Sequence, residues 1–334
     1  MKPRKTDVFK FYLKREGLLG VLIEWFYAKQ LISYETLMRF GIIRHRRSAY
    51  FSGMTPDQFR NEIVEYARVF SPYGKKFNID NPKGFNEKIQ WLILHEDNEI
   101  KARLADKYLV KEWVKSKIGD ECIIRTIAGP WDNAEQIDFE RLPDRFVLKT
   151  NHASGTNLVV LNKETLNIKR ARKQLNRWLN MPYGYIPYEP QYLLIKPCIF
   201  AEEYIEQDNG ELLDYKVFCF NGAPKFFRII INEKGGRKQA LYDGSWNRMD
   251  CDDTDYPEYE GEIAKPEQFD RLVNISKRLA EGFRFVRVDM YIIGDSIKFG
   301  EMTFTPNGGF EEWKRYEETD MFMGNELDLS YEGY

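Results

Sequence analysis

The sequence has little of what metal clusters, disulfide scaffolds and membrane spans are built from. Its 334 residues include four cysteines and three histidines, all scattered and without a Cys-x-x-Cys pair. This argues against a zinc site or a disulfide framework and is typical of a reducing compartment. The apolar run LLGVLI near the start is too short to cross a bilayer, and no signal peptide is recognisable. We therefore expect a cytoplasmic protein.

The charge of the chain is nearly balanced. Fifty Lys and Arg residues stand against 52 Asp and Glu residues, for a formal net charge of −2 at pH 7. Such a chain has no global field that attracts nucleic acid or acidic lipid, and we expect no nucleic-acid partner. The composition, with 43% hydrophobic and 31% charged residues, is typical of a globular protein. The length suggests more than one packed unit.

Residues 1–50 differ from the rest, because eleven Lys and Arg residues there face four Asp and Glu residues. Apolar residues recur at roughly helical spacing between these charges, so we expect one or two amphipathic helices. One interpretation is peripheral contact with an anionic membrane surface or a membrane-bound enzyme. The other, which we favour, is a helical arm that packs on the main body, because the charges do not share one clean face.

The order of predicted elements is mixed. One helix is predicted after Thr55, a good N-cap residue, and one long helix runs from Asn98 to Gly119. Strands follow, some joined by short turns such as Asn221-Gly222. Residues 232–260 and the tail after Trp313 show no clear pattern. Because neither a G-x-G-x-x-G nor a Walker loop is present, we expect an α+β fold and not a doubly wound sheet.

The stretch 285–310, FVRVDMYIIGDSIKFGEMTFTPNGGF, predicts a β-hairpin with one acid on each strand. Acidic residues are depleted in strands, so Asp289 and Glu301 beside Arg287 need an explanation. Two carboxylates that face one point form a site for a hard cation, and Mg²⁺ in such sites usually keeps substrate phosphates among its ligands. The alternative is an ordinary hairpin with two exposed acids.

Two further stretches carry weaker signals. Lys149 ends the apolar strand FVLK and precedes the small-residue loop NHASGTN, whose backbone N–H groups suit phosphate oxygens. Glu202 and Glu203 follow the strand IFA, and carboxylates accept hydrogen bonds from an adenine amino group or ribose hydroxyls. The alternatives are a solvated strand end with a polar turn and a charged strand edge.

Taken in order, several motifs resemble one family. ADKYLVKEW, FVLKTNHASG, FAEEYI, RVDMY and FGEMTFTPNGG are similar to motifs of the ATP-grasp superfamily. With FNEKIQWL, AGPWDN and DYKVFCFNG added, the chain resembles the TupA-like branch, named for teichuronopeptide biosynthesis, over about residues 75–325. This implies an α+β ATP-grasp fold in which two antiparallel-sheet subdomains enclose ATP. We expect a basic helical extension (1–70), a helical region (71–130), a lid subdomain (131–206) and a C-terminal subdomain with the metal site (207–334).

The resemblance also implies which residues bind the nucleotide. Two lysines match the phosphate-binding lysines, the loop 152–157 matches the mobile loop that covers the phosphates, and the strand 202–205 matches the hinge that binds adenine. Asp214 lies where an acid that faces ribose or phosphate is expected, with Lys216 on the same strand face. The complete implied set is Lys107, Lys149, His152, Ser154, Gly155, Glu202, Glu203, Tyr204, Ile205, Asp214 and Lys216.

The metal and catalytic positions are implied in the same way. Asp289 and Glu301 match the acids that bind two Mg²⁺ ions. The third ligand of the family is commonly an asparagine, whereas this chain has Thr303, with Asn307 nearby as the alternative.

Three positions are implied for the chemistry itself. Arg287 matches the arginine that steadies the oxyanion of the tetrahedral intermediate, and the backbone N–H of Gly308 falls at the other donor position. Lys149 is implied to act on the transferring phosphoryl group. No nucleophilic Cys or Ser is required.

The implied activity is that of an ATP-dependent carboxylate–amine ligase that works through an acylphosphate. The implied substrates are an amino acid or other small amine and a uronic-acid-containing sugar of a bacterial capsule, O-antigen or teichuronopeptide. Two rivals stay open: an ATP-grasp sugar kinase, and a non-catalytic polysaccharide-assembly partner with a degenerate nucleotide site. For the tyrosine-rich loop 183–192 and the basic helix 163–179, sugar contacts compete with ordinary roles as a packed connector and a solvated helix face.

Overall fold

The computed structural model describes residues 5–28, 54–70, 77–181, 183–184, 188–206, 212–233, 236–250 and 256–333. Its helices are α1 Lys5–Ala28, α2 Pro56–Phe70, α3 Phe85–His95, α4 Asn98–Ala105, α5 Val110–Ile118, α6 Ile168–Leu179, α7 Phe269–Ala280 and α8 Tyr316–Glu326. Its strands are β1 Thr126–Trp131, β2 Phe146–Thr150, β3 Asn157–Val160, β4 Ile199–Glu203, β5 Asp214–Phe220, β6 Ala223–Glu233, β7 Gly236–Asp243, β8 Arg248–Met249, β9 Phe285–Ile293 and β10 Ser296–Thr303.

The strands form two antiparallel sheets, as the α+β prediction requires. The smaller sheet has the order β1-β4-β2-β3, and the larger has the order β10-β9-β5-β6-β7-β8. The first strand of the smaller sheet begins at Thr126, before the predicted subdomain boundary at residue 131.

The larger sheet divides its side chains between a core and the site. On β5, Tyr215, Val217 and Cys219 lie in the same buried cluster as Leu272 and Leu279 of α7. Because side chains alternate along a strand, the even-numbered residues of β5 point to the other face. That face carries the polar residues described below.

The long helix predicted from Asn98 to Gly119 is wrong, because the chain breaks at Asp106. The Asp106 carboxylate accepts hydrogen bonds from the backbone N–H groups of Tyr108 and Leu109, at 2.8 and 3.0 Å. An Asp that satisfies free N–H groups in this way starts a new helix, here α5. The backbone N–H of Lys107 donates to the Asn151 carbonyl at 3.1 Å, which joins the break to the loop after β2.

Two segments without a clear sequence pattern contain, among their described residues, regular elements that the sequence did not predict. Residues 232–260 include the end of β6 and strands β7 and β8, and the tail after Trp313 includes α8. Strand β7 pairs with β6 along its whole length. A strand can contain many polar residues because its backbone hydrogen bonds to the neighbouring strand form whatever the side chains are.

Local signals, by contrast, are confirmed. Thr55 Oγ1 accepts from the Gln58 backbone N–H at 3.3 Å at the start of α2. Asn221 and Gly222 have φ values of 49° and 76°, the left-handed geometry that a tight hairpin needs.

In the described part of the N-terminal arm, helix α1 packs on α2 near its start and exposes apolar side chains further along. Phe11 of α1 is buried, with ring centroids 5.5 Å from Tyr66 and 5.1 Å from Phe70 of α2. Further along α1, Leu18 and Trp25 are 63% and 51% exposed. Among the described helices, none has the length and apolar character needed to span a membrane.

The two candidate sugar-contact segments differ, because Tyr183 and Tyr192 line the cavity described below while other residues of these segments pack or face solvent. Tyr188 is buried and contacts Tyr66 at a centroid distance of 5.1 Å, whereas Tyr185 lies outside the described residues. Helix α6 buries Ala171 and Leu175 and leaves Lys173 exposed, as in a solvated helix face.

Candidate active site

A cavity of about 350 Å³ lies over the inner face of the larger sheet. Lys107 and Ser154 border it from the side of the smaller sheet, and residues of β5, β6, β9 and β10 form its floor. Its charged lining residues are Lys107, Glu189, Asp214, Lys216, Arg228, Arg237, Arg287, Glu301 and Glu311.

Strand register assembles the floor. Asp289 of β9 faces Lys216 of β5 on one side and Glu301 of β10 on the other. Arg287 faces Thr303. Directly opposed residues in an antiparallel sheet point to the same face, so these side chains meet although they come from three strands.

A β-bulge at Gly300 sets this register. Phe299 pairs with Met290, yet Glu301 pairs with Asp289, so one extra residue is accommodated between them. A Cβ atom at Gly300 would lie 3.0 Å from the Asp289 carbonyl oxygen. Glycine therefore permits the close approach that brings the two acids face to face.

The two acids are held by cations. Arg287 Nε and Nη2 donate to the Asp289 carboxylate at 2.7 and 2.8 Å, and Lys216 Nζ donates to Asp289 Oδ2 at 2.5 Å. Lys107 Nζ lies 3.1 Å from Glu301 Oε2. Burial alone raises the pKa of Glu301, but Lys107, Lys216 and Arg287 outweigh it and hold that pKa well below its usual range.

Lys107 also ties the floor to the loop above it. Its Nζ donates to the carbonyl of Ala153 at 3.1 Å, within the loop 152–157. Asn151 Nδ2 donates to Asp106 Oδ2 at 2.7 Å, which fixes the start of this loop. Ser154 and Gly155 are exposed at its tip, and Gly155 has a φ of 69°.

His152 of the same loop is buried, so the structure does not expose its ring to the cavity. Its Nε2 lies 3.3 Å from the Met181 carbonyl, while Nδ1 is buried without a partner. Burial lowers the pKa of His152 to about 4, so the ring is neutral at pH 7. The prediction that this residue contacts ATP stays untested.

Lys149 belongs to a buried triad of charges that includes a residue the sequence did not indicate. Glu202 Oε2 lies 2.5 Å from Lys149 Nζ, and Glu202 Oε1 lies 2.6 Å from Lys111 Nζ. Lys111 also donates to Thr126 Oγ1 at 2.7 Å. The two lysines hold the pKa of Glu202 below its usual value even though burial acts in the opposite direction.

The hinge strand shows one buried acid, Glu202, and one half-buried acid, Glu203. The carboxylate of Glu202 is committed to lysines, and that of Glu203 lies 3.3 Å from Arg125 near the surface. Arg145 lies over the Tyr204 ring at 4.4 Å, and Ile205 is half-buried. Neither carboxylate is free, and the prediction that residues 202–205 bind adenine stays a prediction.

Asp214 contributes an unpaired oxygen to the site. Its Oδ2 lies 2.8 Å from Lys216 Nζ, while its Oδ1 is buried without a hydrogen-bond partner. Burial raises the pKa of Asp214, and Lys216 opposes that shift. A buried acceptor that lacks a donor suits a ligand hydroxyl.

The turn after β10 engages two of the groups that the resemblance implies, and their roles stay predictions. The backbone N–H of Gly308 donates to the Thr305 carbonyl at 2.9 Å, so it is not free to bind an oxyanion in this conformation. Asn307 Nδ2 donates to Glu311 Oε2 at 3.0 Å, which fixes its amide within the turn. Thr303 is buried and lines the cavity.

A buried carboxyl next to this turn is a further residue that the sequence did not indicate. Gln191 Nε2 donates to Thr305 Oγ1 at 2.6 Å, and Thr305 Oγ1 donates to Glu189 Oε1 at 3.1 Å. Burial raises the pKa of Glu189 from 4.5 to about 8, although Thr305 and Arg287 act against it. The loop that carries Glu189 is rich in Pro and Tyr, and no sequence signal connected it with β10.

Comparison with known proteins decides the family. A model described as TupA-like ATP-grasp matches residues 87–328, which is more than half of the chain. The chain belongs to the TupA-like ATP-grasp family. The two antiparallel sheets are therefore those of an ATP-grasp fold, as the sequence resemblance implies. No curated protein matches the chain.

Solved structures similar to this TupA-like chain include ligases. D-alanine–D-alanine ligase from Bacillus anthracis is 16% identical, with a TM-score of 0.42 and 67% of each chain covered. N5-carboxyaminoimidazole synthase from Aspergillus clavatus, in complex with ADP and 5-aminoimidazole ribonucleotide, is 13% identical at a TM-score of 0.36, covering 73% of this chain and 55% of that one. The ATP-grasp ligase PsnB, complexed with a precursor variant, Mg and ADP, is 11% identical at 0.36, with 69% and 61% covered.

The candidate active site offers two carboxylate side chains as oxygen donors to a Mg²⁺ ion. Among the described residues no group of three or more His, Cys, Asp or Glu side chains is arranged to hold a metal ion. Two facing carboxylates, Asp289 and Glu301, are present, and both donate oxygen. Mg²⁺ is commonly held by one or two carboxylates together with water and substrate phosphates. Both Asp289 oxygens are paired with Arg287 or Lys216 and Glu301 is paired with Lys107, so a Mg²⁺ ion would compete with these cations, and its placement here stays a prediction.

Proposed function

We propose that the protein is an ATP-dependent carboxylate–amine ligase that joins an amino acid to a uronic-acid-type sugar of a bacterial cell-surface polysaccharide. One observation carries the ligase part. A single cavity is lined by Lys107, Arg287 and Glu301, and Asp289 lies buried next to it, paired with Arg287 and facing Glu301. The polysaccharide part rests on the resemblance to the teichuronopeptide branch of the family.

The chemical problem explains why such residues are needed. A carboxylate is a poor acyl donor because its leaving group would be oxide. Transfer of the γ-phosphoryl group of ATP to a carboxylate oxygen gives an acylphosphate, from which phosphate leaves when an amine attacks. Catalysis of the first step consists mainly of positioning and of neutralising charge on the phosphoryl group.

Two lysines provide the positive charge that neutralises the phosphoryl group. In the structure Lys107 is paired with Glu301, and Lys149 is paired with Glu202. The phosphates of ATP are anions that compete with these carboxylates for the two ammonium groups. We infer that Lys107 and Lys149 exchange partners when ATP binds, while Lys111 keeps Glu202 neutralised. Asp289 and Glu301 would hold Mg²⁺, which would supply further neutralisation of the phosphate charge.

Arg287 serves the second step. Its guanidinium is fixed by two hydrogen bonds to Asp289, and the neighbouring carboxylates raise its pKa despite burial, so it stays charged. A fixed, buried donor stabilises an oxyanion better than a mobile one because no reorganisation is needed during the reaction.

The loop 152–157 protects the intermediate. Lys107 reaches its Ala153 carbonyl, so binding of phosphate at Lys107 is coupled to the loop position. Closure of this loop excludes water, which would otherwise hydrolyse the acylphosphate.

The cellular location is part of the same proposal. We propose a cytoplasmic enzyme that contacts membrane-bound assembly enzymes or the inner membrane face through residues 1–50. The exposed apolar side chains of Leu18, Leu22 and Trp25 on α1 support contact with a partner surface.

The proposal is tested with purified protein, Mg-ATP, the twenty amino acids and a uronic acid. ADP, free phosphate and product mass are measured. A ligase gives ADP and phosphate together with a product formed by loss of water. A phosphorylated sugar without free phosphate would identify a sugar kinase instead.

A matched pair of variants controls this experiment. Lys149→Met removes a predicted phosphate contact and should abolish turnover. Lys196→Met makes the same change at a side chain that is 85% exposed, and should leave turnover unchanged. Absence of Mg-ATP binding in calorimetry with the unmodified protein would refute both enzyme activities.

A further inference from the structure

A second cavity lies on the same face of the larger sheet, beside the candidate active site. Its volume is also about 350 Å³. Its apolar lining consists chiefly of Phe218, Phe226, Leu241, Met249, Trp313 and Phe322. Neither the family match nor the proposed reaction assigns any role to this cavity.

Strand register shows how close this cavity is to the reaction centre. Phe218 faces Arg287 across β5 and β9, and Phe226 faces Phe218 across β6 and β5. Neighbouring strands lie about 4.8 Å apart. The apolar floor therefore starts one strand away from the arginine that is proposed to hold the oxyanion.

A second row of cross-strand neighbours also leads from the active site towards the apolar cavity. Lys216, the neighbour of Asp289, faces Arg228, which faces Leu241, which faces Met249. Arg228 lines both cavities, and its guanidinium lies over the Phe218 ring at 5.0 Å. Arg228, which is buried, is thus the wall that the two cavities share, and a molecule whose reacting group sits at Arg287 reaches the apolar cavity by displacing this side chain.

The chemistry of the floor selects the kind of group that fits. Phe218, Phe226, Leu241 and Met249 have no nitrogen or oxygen in their side chains, so sugar hydroxyls placed against them would lose hydrogen bonds to water without replacement. An aliphatic or aromatic side chain has no such cost and gains by leaving water.

Apart from the buried Arg228, the polar lining residues lie at the rim. Arg315 Nη2 lies 3.3 Å from Asp250 Oδ2, and Glu318 and Thr319 stand beside them on the helical side. Phe322, 45% exposed, lies against Phe226 with ring centroids 5.4 Å apart and forms part of the roof. The cavity is therefore largely apolar inside, with Arg228 at the side of the active site and polar residues at the opposite edge.

We propose that this cavity binds the bulky apolar or aromatic side chain of the amino acid that the enzyme joins to its sugar substrate. The inference rests on the proposed function and makes it more specific, because it names the class of amino acid. The reacting amine or carboxylate lies at Arg287, and the side chain passes Arg228 to rest between the sheet and α8.

The test measures kcat/KM for phenylalanine, leucine, alanine and glutamate with Mg-ATP and a uronic acid, by ADP release and product mass. We expect phenylalanine or leucine to exceed alanine and glutamate by at least about 100-fold, since each methylene in an apolar pocket contributes about 10-fold or more. Equal or greater use of alanine or glutamate would overturn the inference and leave the ligase proposal intact.

Variants separate a binding cavity from a packing gap. Leu241→Trp fills the cavity and should raise KM for phenylalanine at least about tenfold relative to alanine, as expected for an apolar pocket. Leu161→Trp makes the same change at a residue that is 57% exposed and should change neither value. If Leu241→Trp raises the melting temperature without changing the preference, the cavity is only a packing gap and the inference is wrong.

Two further measurements keep the inference testable. If Leu241→Trp does not fold, Phe322→Ala enlarges the partly exposed roof and should shift the preference from leucine towards tryptophan; an unchanged preference overturns the inference. If no amino acid supports ADP release, the proposed reaction fails. Calorimetry with phenylalanine and alanine in the presence of Mg-ATP then still decides whether the cavity selects apolar side chains.

Discussion

The charge triad at the end of the small sheet offers the sharpest test of the site's construction. Glu202 lies between Lys111 and Lys149, with N–O distances of 2.6 and 2.5 Å and only 5% of its side chain exposed. Glu202→Gln keeps the shape but removes the anion, so two largely buried ammonium groups lose their partner. Removing one member of a buried ion pair typically costs about 3–5 kcal/mol. We expect the free energy of unfolding to fall by about that amount at pH 7.

The neighbouring residue provides a matched control. Glu203 pairs with Arg125 at 3.3 Å, but the arginine side chain is 74% exposed and that of Glu203 36%. Because an exposed ion pair contributes about 0–1 kcal/mol, Glu203→Gln should cost less than about 1 kcal/mol. Lys111→Met should cost less than Glu202→Gln, since Glu202 then keeps Lys149. The double variant Lys111→Met/Glu202→Gln should cost less than the sum of the single changes, because the two residues are in contact.

Urea denaturation followed by circular dichroism and tryptophan fluorescence measures these differences, provided that the two transitions coincide. The pH dependence supplies a second check. The pKa of Glu202 is lowered in the folded state, so its contribution is present above the unfolded pKa and is lost as pH falls through the folded value. The gap between wild type and Glu202→Gln should therefore shrink in acid. If Glu202→Gln costs no more than Glu203→Gln at pH 7, the triad does not stabilise the fold as argued.

Three other predictions test the floor and roof of the site. Glu301→Gln should abolish turnover while circular dichroism stays unchanged, and near-normal activity would show that the metal site is misplaced. Gly300→Ala puts a methyl group 3.0 Å from the Asp289 carbonyl and should destabilise the protein by about 1–3 kcal/mol and lower kcat, whereas Gly244→Ala, with open space around it, should do neither. Glu189, whose pKa burial raises to about 8, favours the folded state only while protonated, so that advantage is lost as pH rises from about 4.5 to about 8. Urea titrations should find Glu189→Gln gaining stability relative to wild type by on the order of 4 kcal/mol between pH 4 and pH 9, and a constant difference would contradict the raised pKa.

Structural features that depend on a few neighbouring residues were predictable from the sequence. The cap at Thr55, the turn at Asn221-Gly222 and the hairpin of β9 and β10 each depend on neighbours in sequence, and all are present. The polar strand β7 was missed because its place in the sheet depends on pairing with β6 and not on an alternating pattern of its own.

The long helix from Asn98 was predicted wrongly for a related reason. Its apolar periodicity continues across Asp106, but the carboxylate of that residue binds two backbone N–H groups and Asn151. Asn151 lies far along the chain, so only the folded structure shows that capping and loop anchoring overcome helix continuity at this point.

The sequence alone determined the kind of protein and most of its candidate polar residues, because the order of its motifs resembles one family and motif residues are conspicuous in type. The tertiary structure alone decided how these residues meet. A bulge at Gly300 puts Glu301 opposite Asp289, Lys111 joins Lys149 at Glu202, and the Gly308 N–H is used within its own turn. Each of these facts depends on strand register or on contacts between distant segments, and a side chain's partner is set by such packing and not by its position in the sequence.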